Sequence, residues 1–130
     1  SVKLVIKIIS ATGLRSAEPP PVKADSYCTC EIAGSKKSQS QRPWQTKTVT
    51  DSLDPVWNET KKDFDYIPGE ALRFAIHDSD QRSSQVDELL GSYEMPSSQF
   101  WPGGFDGEVT LTQEEHSRRD KKSTVTLKVK

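Results

Sequence analysis

The stretch LRFAIHDSDQRSSQVDELLG, Leu72 to Gly91, joins two different sequence patterns. In its first five residues, Leu72, Phe74 and Ile76 alternate with other side chains, which is the period of a half-buried β-strand. The fifteen residues from His77 to Gly91 then contain four acids. Carboxylates this close repel each other unless water or a cation separates them. The stretch therefore predicts a strand that ends in either a solvated loop or a cation-binding loop.

The same period of two recurs along most of the chain. The runs are separated by clusters of Pro, Gly, Ser and Asp, and no segment of helical length carries a 3.6-residue stripe. The expected strands are Val2–Ile8, Tyr27–Ile32, Trp44–Thr50, Lys62–Tyr66, Leu72–His77, Leu90–Met95, Val109–Leu111 and Thr124–Val129. This pattern predicts an all-β fold, an eight-stranded antiparallel β-sandwich.

Composition limits the functions that such a chain can have. The 130 residues carry a net charge of −1, which gives no indication of a nucleic-acid partner. Their hydrophobic fraction of 32% suits sheets that keep one face in water. No apolar run approaches the ~20 residues that a membrane-spanning helix needs, and no signal peptide opens the chain. We expect a single domain over residues 1–130, excised from a larger protein.

Cysteine and histidine usage gives little support for catalysis. Cys28 and Cys30 lie two apart in a strand and share a face, which is unsuited to a disulfide and typical of core residues in a reducing, cytoplasmic compartment. His77 and His116 are the only histidines, and no nucleophile motif or glycine-rich phosphate cradle is present. We therefore expect neither enzyme activity nor a small-molecule substrate.

The acids become more informative when strand direction is considered. If every connection reverses the chain, the loops after the first, third and fifth strands lie at the same end of the sandwich. These loops read RSAEPPPVKAD, DSLDP and DSDQRSSQVDE, and all three contain acids. Asp78 and Asp80 also share the strand parity of Phe74 and Ile76, which directs them first toward the space between the sheets. Carboxylates from separate loops favour a cation site over a solvated loop.

The chemistry of these ligands indicates which cation they would bind. Oxygen ligands without histidine or cysteine favour Ca²⁺ over zinc or copper. A contiguous EF-hand is excluded: counting from Asp78, the sixth position is Ser83 instead of glycine, and the twelfth is Leu89 instead of a bidentate glutamate. Any calcium site must therefore draw its ligands from several loops.

Four motifs along the chain occur together in a known family. They are ISATGL at the end of the first strand, ADSY at Ala24–Tyr27, QTKTVTDSLDPVWNE at Gln45–Glu59, and AIHDSD followed by ELLG. In this combination the chain resembles a C2 domain over nearly its whole length, with serine replacing the family's proline in ADSY. The resemblance implies a Greek-key sandwich. The first strand matches the family's second, which implies the type II permutation.

The resemblance also implies a calcium site at the acidic end. The implied ligands are Glu18, Asp25, Asp78, Asp80 and Glu88. Glu18 is longer than the usual aspartate of the first loop. Glu88 lies three residues before the glycine of ELLG, and its neighbour Asp87 is an equally placed alternative.

The function that the resemblance implies is calcium-dependent, peripheral binding to the anionic phospholipid surface of a membrane from the cytoplasm. Basic side chains near the third strand and residues of the acidic loops are expected at the lipid: Lys36, Lys37, Arg42, Lys47, Val22, Arg82 and Val86. The alternative is a calcium-independent C2 domain that binds other proteins. Nucleic acid is not expected, because the basic run RRDKK has no aromatic stacking platform beside it.

Overall fold

A computed structural model of the chain describes residues 2–14, 24–33, 41–79, 87–112 and 123–130. The regular elements within these ranges are β1 (Val2–Thr12), β2 (Ser26–Ala33), β3 (Trp44–Gln45), β4 (Val56–Tyr66), β5 (Ala71–Asp78), β6 (Glu88–Met95), α1 (Ser97–Phe100), β7 (Phe105–Thr110) and β8 (Thr124–Val129). Sheet A has the order β4-β1-β8-β7, sheet B has the order β3-β2-β5-β6, and neighbouring strands are antiparallel. The predicted eight-stranded antiparallel sandwich is confirmed, and the type II permutation stays a prediction.

The core lies between two inner faces that follow the strand period of two. On β1 of sheet A, Leu4, Ile6 and Ile8 are at most 1% exposed. On β2 of sheet B, Cys28 and Cys30 are fully buried and not disulfide-bonded, as predicted for core residues. Burying a leucine or isoleucine side chain contributes about 1.5–3 kcal/mol. The alternation in the sequence therefore fixes which face of each strand turns inward.

An aromatic cluster closes the sandwich at the end opposite the acidic loops. The ring of Tyr66 lies 5.2 Å from that of Phe100 and 5.6 Å from that of Trp101. The Tyr66 hydroxyl donates to the carbonyl oxygen of Glu70 at 2.7 Å and lies 2.9 Å from Ser97 Oγ. These contacts attach α1 to the last residue of β4 and to the residue before β5. Each aromatic pair contributes about 0.5–1.5 kcal/mol beyond its buried area.

Strand β4 is longer than the sequence pattern predicts. It has 11 residues, whereas the alternation indicates a strand only from Lys62 onward. Asn58 and Asp63 have φ angles of 54° and 58°, and the register against β1 shifts twice. Such bulges interrupt the period of two. The N-terminal part of β4 also alternates in burial, but its inward positions include Glu59 and Lys61, so no apolar alternation marks it in the sequence and the prediction was too short.

Strand β3 is shorter than predicted because a side chain replaces a carbonyl group of the ladder. The prediction extends to Thr50, but β3 ends at Gln45. The next residue, Thr46, is 2% exposed, and its Oγ1 accepts the N–H of Cys28 at 3.0 Å. Threonine hydroxyls compete in this way with backbone acceptors. After Thr46, the chain pairs with β2 again at Val49, which forms an isolated bridge with Ser26.

A bulge near the start of β6 determines on which side of sheet B the side chains of Asp87 and Glu88 lie. Consecutive residues of β5 pair with Gly91 and then with Leu89, so Leu90 is an extra residue in β6. Leu90 and Gly91 are both buried, and the alternation of β6 is shifted by one on the N-terminal side of the bulge. A Cβ atom on Gly91 would lie 3.1 Å from Cβ of Leu111. The glycine of ELLG therefore favours the close approach of β6 to the chain beyond β7, where any larger residue must displace Leu111.

Replacing Gly91 with alanine should destabilise the protein by about 1–3 kcal/mol, because the added carbon must displace Leu111 in a packed core. Gly103→Ala is the matched control, since no heavy atom lies within 4 Å of a Cβ atom at that position. Its free energy of unfolding should stay within about 0.5 kcal/mol of the parent value. Urea denaturation measures both differences. Equal stability of the two variants would contradict the packing argument.

Candidate functional site

The loops that follow alternate strands meet at one end of the sandwich. Gly13, just after β1, donates its N–H to Asp54 Oδ1 in the connection between β3 and β4 at 2.9 Å. Ser79, just after β5, donates its N–H to the carbonyl oxygen of Asp25 at 2.7 Å. Residues next to the first, third and fifth strands are thus joined by hydrogen bonds. The convergence predicted from strand direction is present in the described residues.

Asp25 and Asp78 each tie one loop to the next. Asp78 Oδ1 accepts the N–H of Asp25 at 3.0 Å, and Asp25 Oδ1 accepts the N–H of Asp51 at 2.7 Å. Both Asp25 and Asp78 are half-buried. A carboxylate has about four lone-pair directions, so these hydrogen bonds are compatible with additional contacts to a cation.

Asp51 is a residue of this end that the motifs did not single out. It has a φ angle of 54°, a left-handed conformation that aspartate tolerates better than most residues, and this turn brings its N–H to Asp25. The available signal was the acid-containing loop DSLDP, which predicted convergence. The family resemblance assigns no ligand to that loop, so the supporting role of Asp51 became visible only in the structure.

Ser26 lies where the family motif has proline, and its backbone N–H forms a hydrogen bond that proline lacks. Its N–H donates to the carbonyl oxygen of Val49 at 3.0 Å, a bond that proline cannot form. The carbonyl oxygen of Ser26 accepts the indole N–H of Trp57 at 3.2 Å. Its Oγ is buried without a hydrogen-bond partner among the described residues. The serine therefore gains a backbone bond beside Asp25 and leaves its hydroxyl unsatisfied.

The adjacent acids Asp87 and Glu88 lie on different sides of sheet B. The Tyr27 hydroxyl donates to Asp87 Oδ2 at 2.6 Å, and the Tyr27 ring stacks on His77 with centroids 5.3 Å apart. Tyr27 alternates with buried residues of β2 and so belongs to the outer face of the sheet. Glu88 is instead the ladder partner of Asp78. Asp87 is thus on the outer face with Tyr27, and Glu88 is on the side of Asp78.

Burial changes the proton affinity of the two stacked rings. It raises the pKa of Tyr27 to about 12, and the hydrogen bond to Asp87 and the negative charge of that residue act in the same direction. Burial also lowers the pKa of His77, helped by the positive charge of Arg73 and opposed by Asp87. At neutral pH Tyr27 is therefore a hydrogen-bond donor, and His77 is mainly uncharged.

The described acids have the chemistry that a hard cation requires. Asp25, Asp78 and Glu88 lie at the ends of adjacent strands and offer oxygen atoms, the ligands that Ca²⁺ prefers. Within the described ranges, no three His, Cys, Asp or Glu side chains form a metal-binding group by themselves. The predicted ligands Glu18 and Asp80 lie outside the described residues.

The predicted lipid-binding residues are only partly covered by the structure. Arg42 and Lys47 are exposed on either side of β3, at the edge of sheet B. Lys47 was expected inside the third strand, but it follows the end of β3, where its N–H donates to Glu59 Oε2 at 2.9 Å. The other predicted residues, Val22, Lys36, Lys37, Arg82 and Val86, lie outside the described residues.

The sequence pattern and the fold agree with one family. The model of the C2 domain family matches residues 2–125. The chain belongs to the C2 domain family. A comparison of this C2 domain with curated protein sequences gives no significant match. Among the described residues of the C2 domain, no helix has the length and apolar character needed to cross a membrane.

Solved structures resemble this C2 domain closely in fold at low sequence identity. A C2 domain of plant extended synaptotagmin 1 matches with a TM-score of 0.74 and 19% identity, over 98% of this chain and 91% of that one. A calcium-bound pair of C2 domains from extended synaptotagmin 2 matches at 0.70 and 21%, over 98% and 44% of the two chains. Human GIVD cytosolic phospholipase A2 matches at 0.71 and 23%, over 98% of this chain but 16% of the phospholipase. At these identities the likeness establishes the fold alone.

The contacts of Asp25 predict a structural role that does not depend on calcium. Asp25→Ala removes the acceptor of the Asp51 N–H and should lower the free energy of unfolding by about 1 kcal/mol or more in chelator. Asp25→Asn keeps an oxygen acceptor at the same position and should cost less. Asp106→Ala is a control that removes an exposed carboxylate 3.6 Å from Lys128 and should cost about 0–1 kcal/mol. Urea denaturation in EGTA measures all three, and equal stability of the two Asp25 variants would exclude this role.

Proposed function

We propose that this C2 domain is a calcium-dependent module that binds the anionic phospholipid surface of membranes peripherally. The observation that supports the proposal most directly is the arrangement of three acids where β2, β5 and β6 meet. The backbone N–H of Asp25 donates to Asp78 Oδ1, and Glu88 is the ladder partner of Asp78. Membership of the C2 family agrees with it, as does the fold likeness to extended synaptotagmin 2 in its calcium-bound form.

Five acids from the first and third of the converging loops are assigned to the cation. They are Glu18, Asp25, Asp78, Asp80 and Glu88, with Asp87 as the alternative to Glu88. Bound Ca²⁺ would supply the positive charge that lets these carboxylates and anionic lipid phosphates share one site. The carboxylates of Asp25 and Asp78 already accept backbone hydrogen bonds, so they are held in position before any ligand is bound. Pre-positioned groups lose little conformational freedom on binding.

Basic residues before and after β3 in the sequence are assigned to the lipid headgroups. They are Lys36, Lys37, Arg42 and Lys47, together with Arg82 of the sequence DSDQRSSQVDE. Each basic side chain near an anionic membrane contributes about 1 kcal/mol of attraction. Val22 and Val86 are assigned to contact with the lipid interface.

The alternative is a calcium-independent C2 domain that binds other proteins. The observation behind it is that Asp25 and Asp78 stabilise their loops through hydrogen bonds that need no cation. Both candidate functions are non-catalytic. The likeness to the phospholipase concerns only 16% of that enzyme and gives no reason to expect catalysis here.

Calcium should stabilise the domain and transfer it to anionic vesicles. At a free Ca²⁺ concentration 100 times the Kd, mass action adds about 2.7 kcal/mol to the free energy of unfolding. This corresponds to an increase in Tm on the order of 5–15 °C. Asp78→Asn combined with Asp80→Asn should lose most of this increase. The double variant should melt no lower than the parent in chelator, because asparagine keeps an acceptor for the Asp25 N–H and relieves charge repulsion.

Calorimetry and cosedimentation with phosphatidylserine vesicles measure these effects. Binding to vesicles should require Ca²⁺ and weaken as salt rises, because salt screens headgroup attraction. Asp106→Asn is the control, since it removes an exposed carboxylate of sheet A. Equal vesicle binding in chelator would reject calcium dependence. A parent domain that gives no heat with millimolar Ca²⁺ and no vesicle binding would favour the protein-binding alternative.

The basic residues should contribute to lipid binding more than to calcium binding. Changing Lys36, Lys37 and Lys47 together to glutamate should weaken binding to phosphoinositide-containing vesicles by about tenfold or more. Calcium affinity in solution should change less. The same charge change at three lysines in or next to sheet A is the matched control: Lys62, Lys128 and Lys130. If both triple variants lose the same vesicle affinity, only total charge matters and the assignment of Lys36, Lys37 and Lys47 to the lipid is wrong.

A further inference from the structure

One hydrogen bond connects the outer face of sheet B to the acidic end. The distance between the Tyr27 hydroxyl oxygen and Asp87 Oδ2 is 2.6 Å, which is in the range of charge-assisted O–H···O⁻ bonds. The Tyr27 ring is half-buried and stacked on His77, with an angle of 22° between the two planes. The hydroxyl is therefore presented by a ring that neighbouring residues hold in place. Its acceptor, Asp87, directly precedes β6.

The bulge in β6 determines on which side of sheet B the acceptor of this hydrogen bond lies. Because Leu90 is inserted in the ladder, Leu89 pairs with His77 and Glu88 pairs with Asp78. Alternation then places Asp87 on the same side as Leu89, which is the outer face where Tyr27 lies. The two adjacent acids are consequently separated, and only Glu88 shares a side with Asp78.

We propose that Tyr27 is a positioning residue for calcium binding. By holding Asp87 on the outer face of sheet B, it directs Glu88 rather than Asp87 toward Asp78 and the bound cation. This role rests on the proposed function and deepens it, because it selects between two acids that are equally placed in the sequence. Tyr27 itself acts through Asp87 and does not bind the cation.

The chemistry of the phenol group suits this role. A phenol hydroxyl donates one hydrogen bond, and that of Tyr27 is directed at the Asp87 carboxylate. Removing the hydroxyl would leave the stacking surface in place but take away a hydrogen bond that holds Asp87 on the outer face. The start of β6, and with it Glu88, would then be held less firmly opposite Asp78.

The test compares four single variants of the domain by isothermal titration with CaCl₂. Tyr27→Phe removes the hydroxyl, and Tyr93→Phe is the matched control, since the Tyr93 hydroxyl donates to Gln99 Oε1 at the same distance of 2.6 Å on the same sheet. Tyr27→Phe should raise the Kd for Ca²⁺ by about three- to tenfold. Tyr93→Phe should leave it within about twofold. Both should melt at similar temperatures in EGTA, so the difference in Kd reports positioning and not stability.

The second pair of variants separates the two acids. Glu88→Gln removes a proposed ligand charge and should raise the Kd more than tenfold, whereas Asp87→Asn keeps an acceptor for Tyr27 and should raise it by less than about threefold. A Tyr27→Phe variant with the parent's Kd, or an Asp87→Asn effect as large as that of Glu88→Gln, would overturn the inference. A parent domain that gives no heat with CaCl₂ would reject the proposed function itself, and this role with it.

Discussion

The pairing of β2 with β5 is the constraint on which the functional end of this C2 domain depends. The two strands share eight consecutive residue pairs without a register shift, ending where Ser26 meets Asp78. A slip of one residue would turn core side chains such as Cys28 and Ile76 toward solvent, so their burial locks the register. This register places Asp25 beside Asp78. The geometry of the acids is therefore set by the core and not by the loops that carry them.

The position of β6, the other strand that contributes an acid, depends on a β-bulge. β6 departs from regular pairing at the bulge around Leu90, which Gly91 permits because it has no side chain to collide with Leu111. The inserted residue reverses the alternation at the start of the strand. Asp87 and Glu88 thereby face different environments. A packing requirement in the core thus sets the alternation of the two acids, and the hydrogen bond from Tyr27 holds Asp87 on the outer face.

Hydrogen bonding explains how acids can be concentrated at this end without unfolding it. The carboxylates of Asp25 and Asp78 accept backbone N–H groups of neighbouring loops, and Asp54 accepts that of Gly13. Each such bond offsets part of the repulsion between like charges and joins two segments that are distant in sequence. A cation site built from these residues would need little backbone movement, because its described acids are fixed by contacts that exist without the cation.

The sequence by itself determined the strand character of β1, β2, β5 and β8, because side-chain alternation directly reflects burial on one face of a sheet. It also determined that three acidic loops share one end, since antiparallel strands reverse direction at each connection. Only the tertiary structure decided the end of β3 before Thr46, the bulges of β4, and the separation of Asp87 from Glu88. The end of β3 and the separation of the two acids depend on groups supplied by β2, the Cys28 N–H and the Tyr27 hydroxyl, and local sequence patterns contain no information about partners that are distant along the chain.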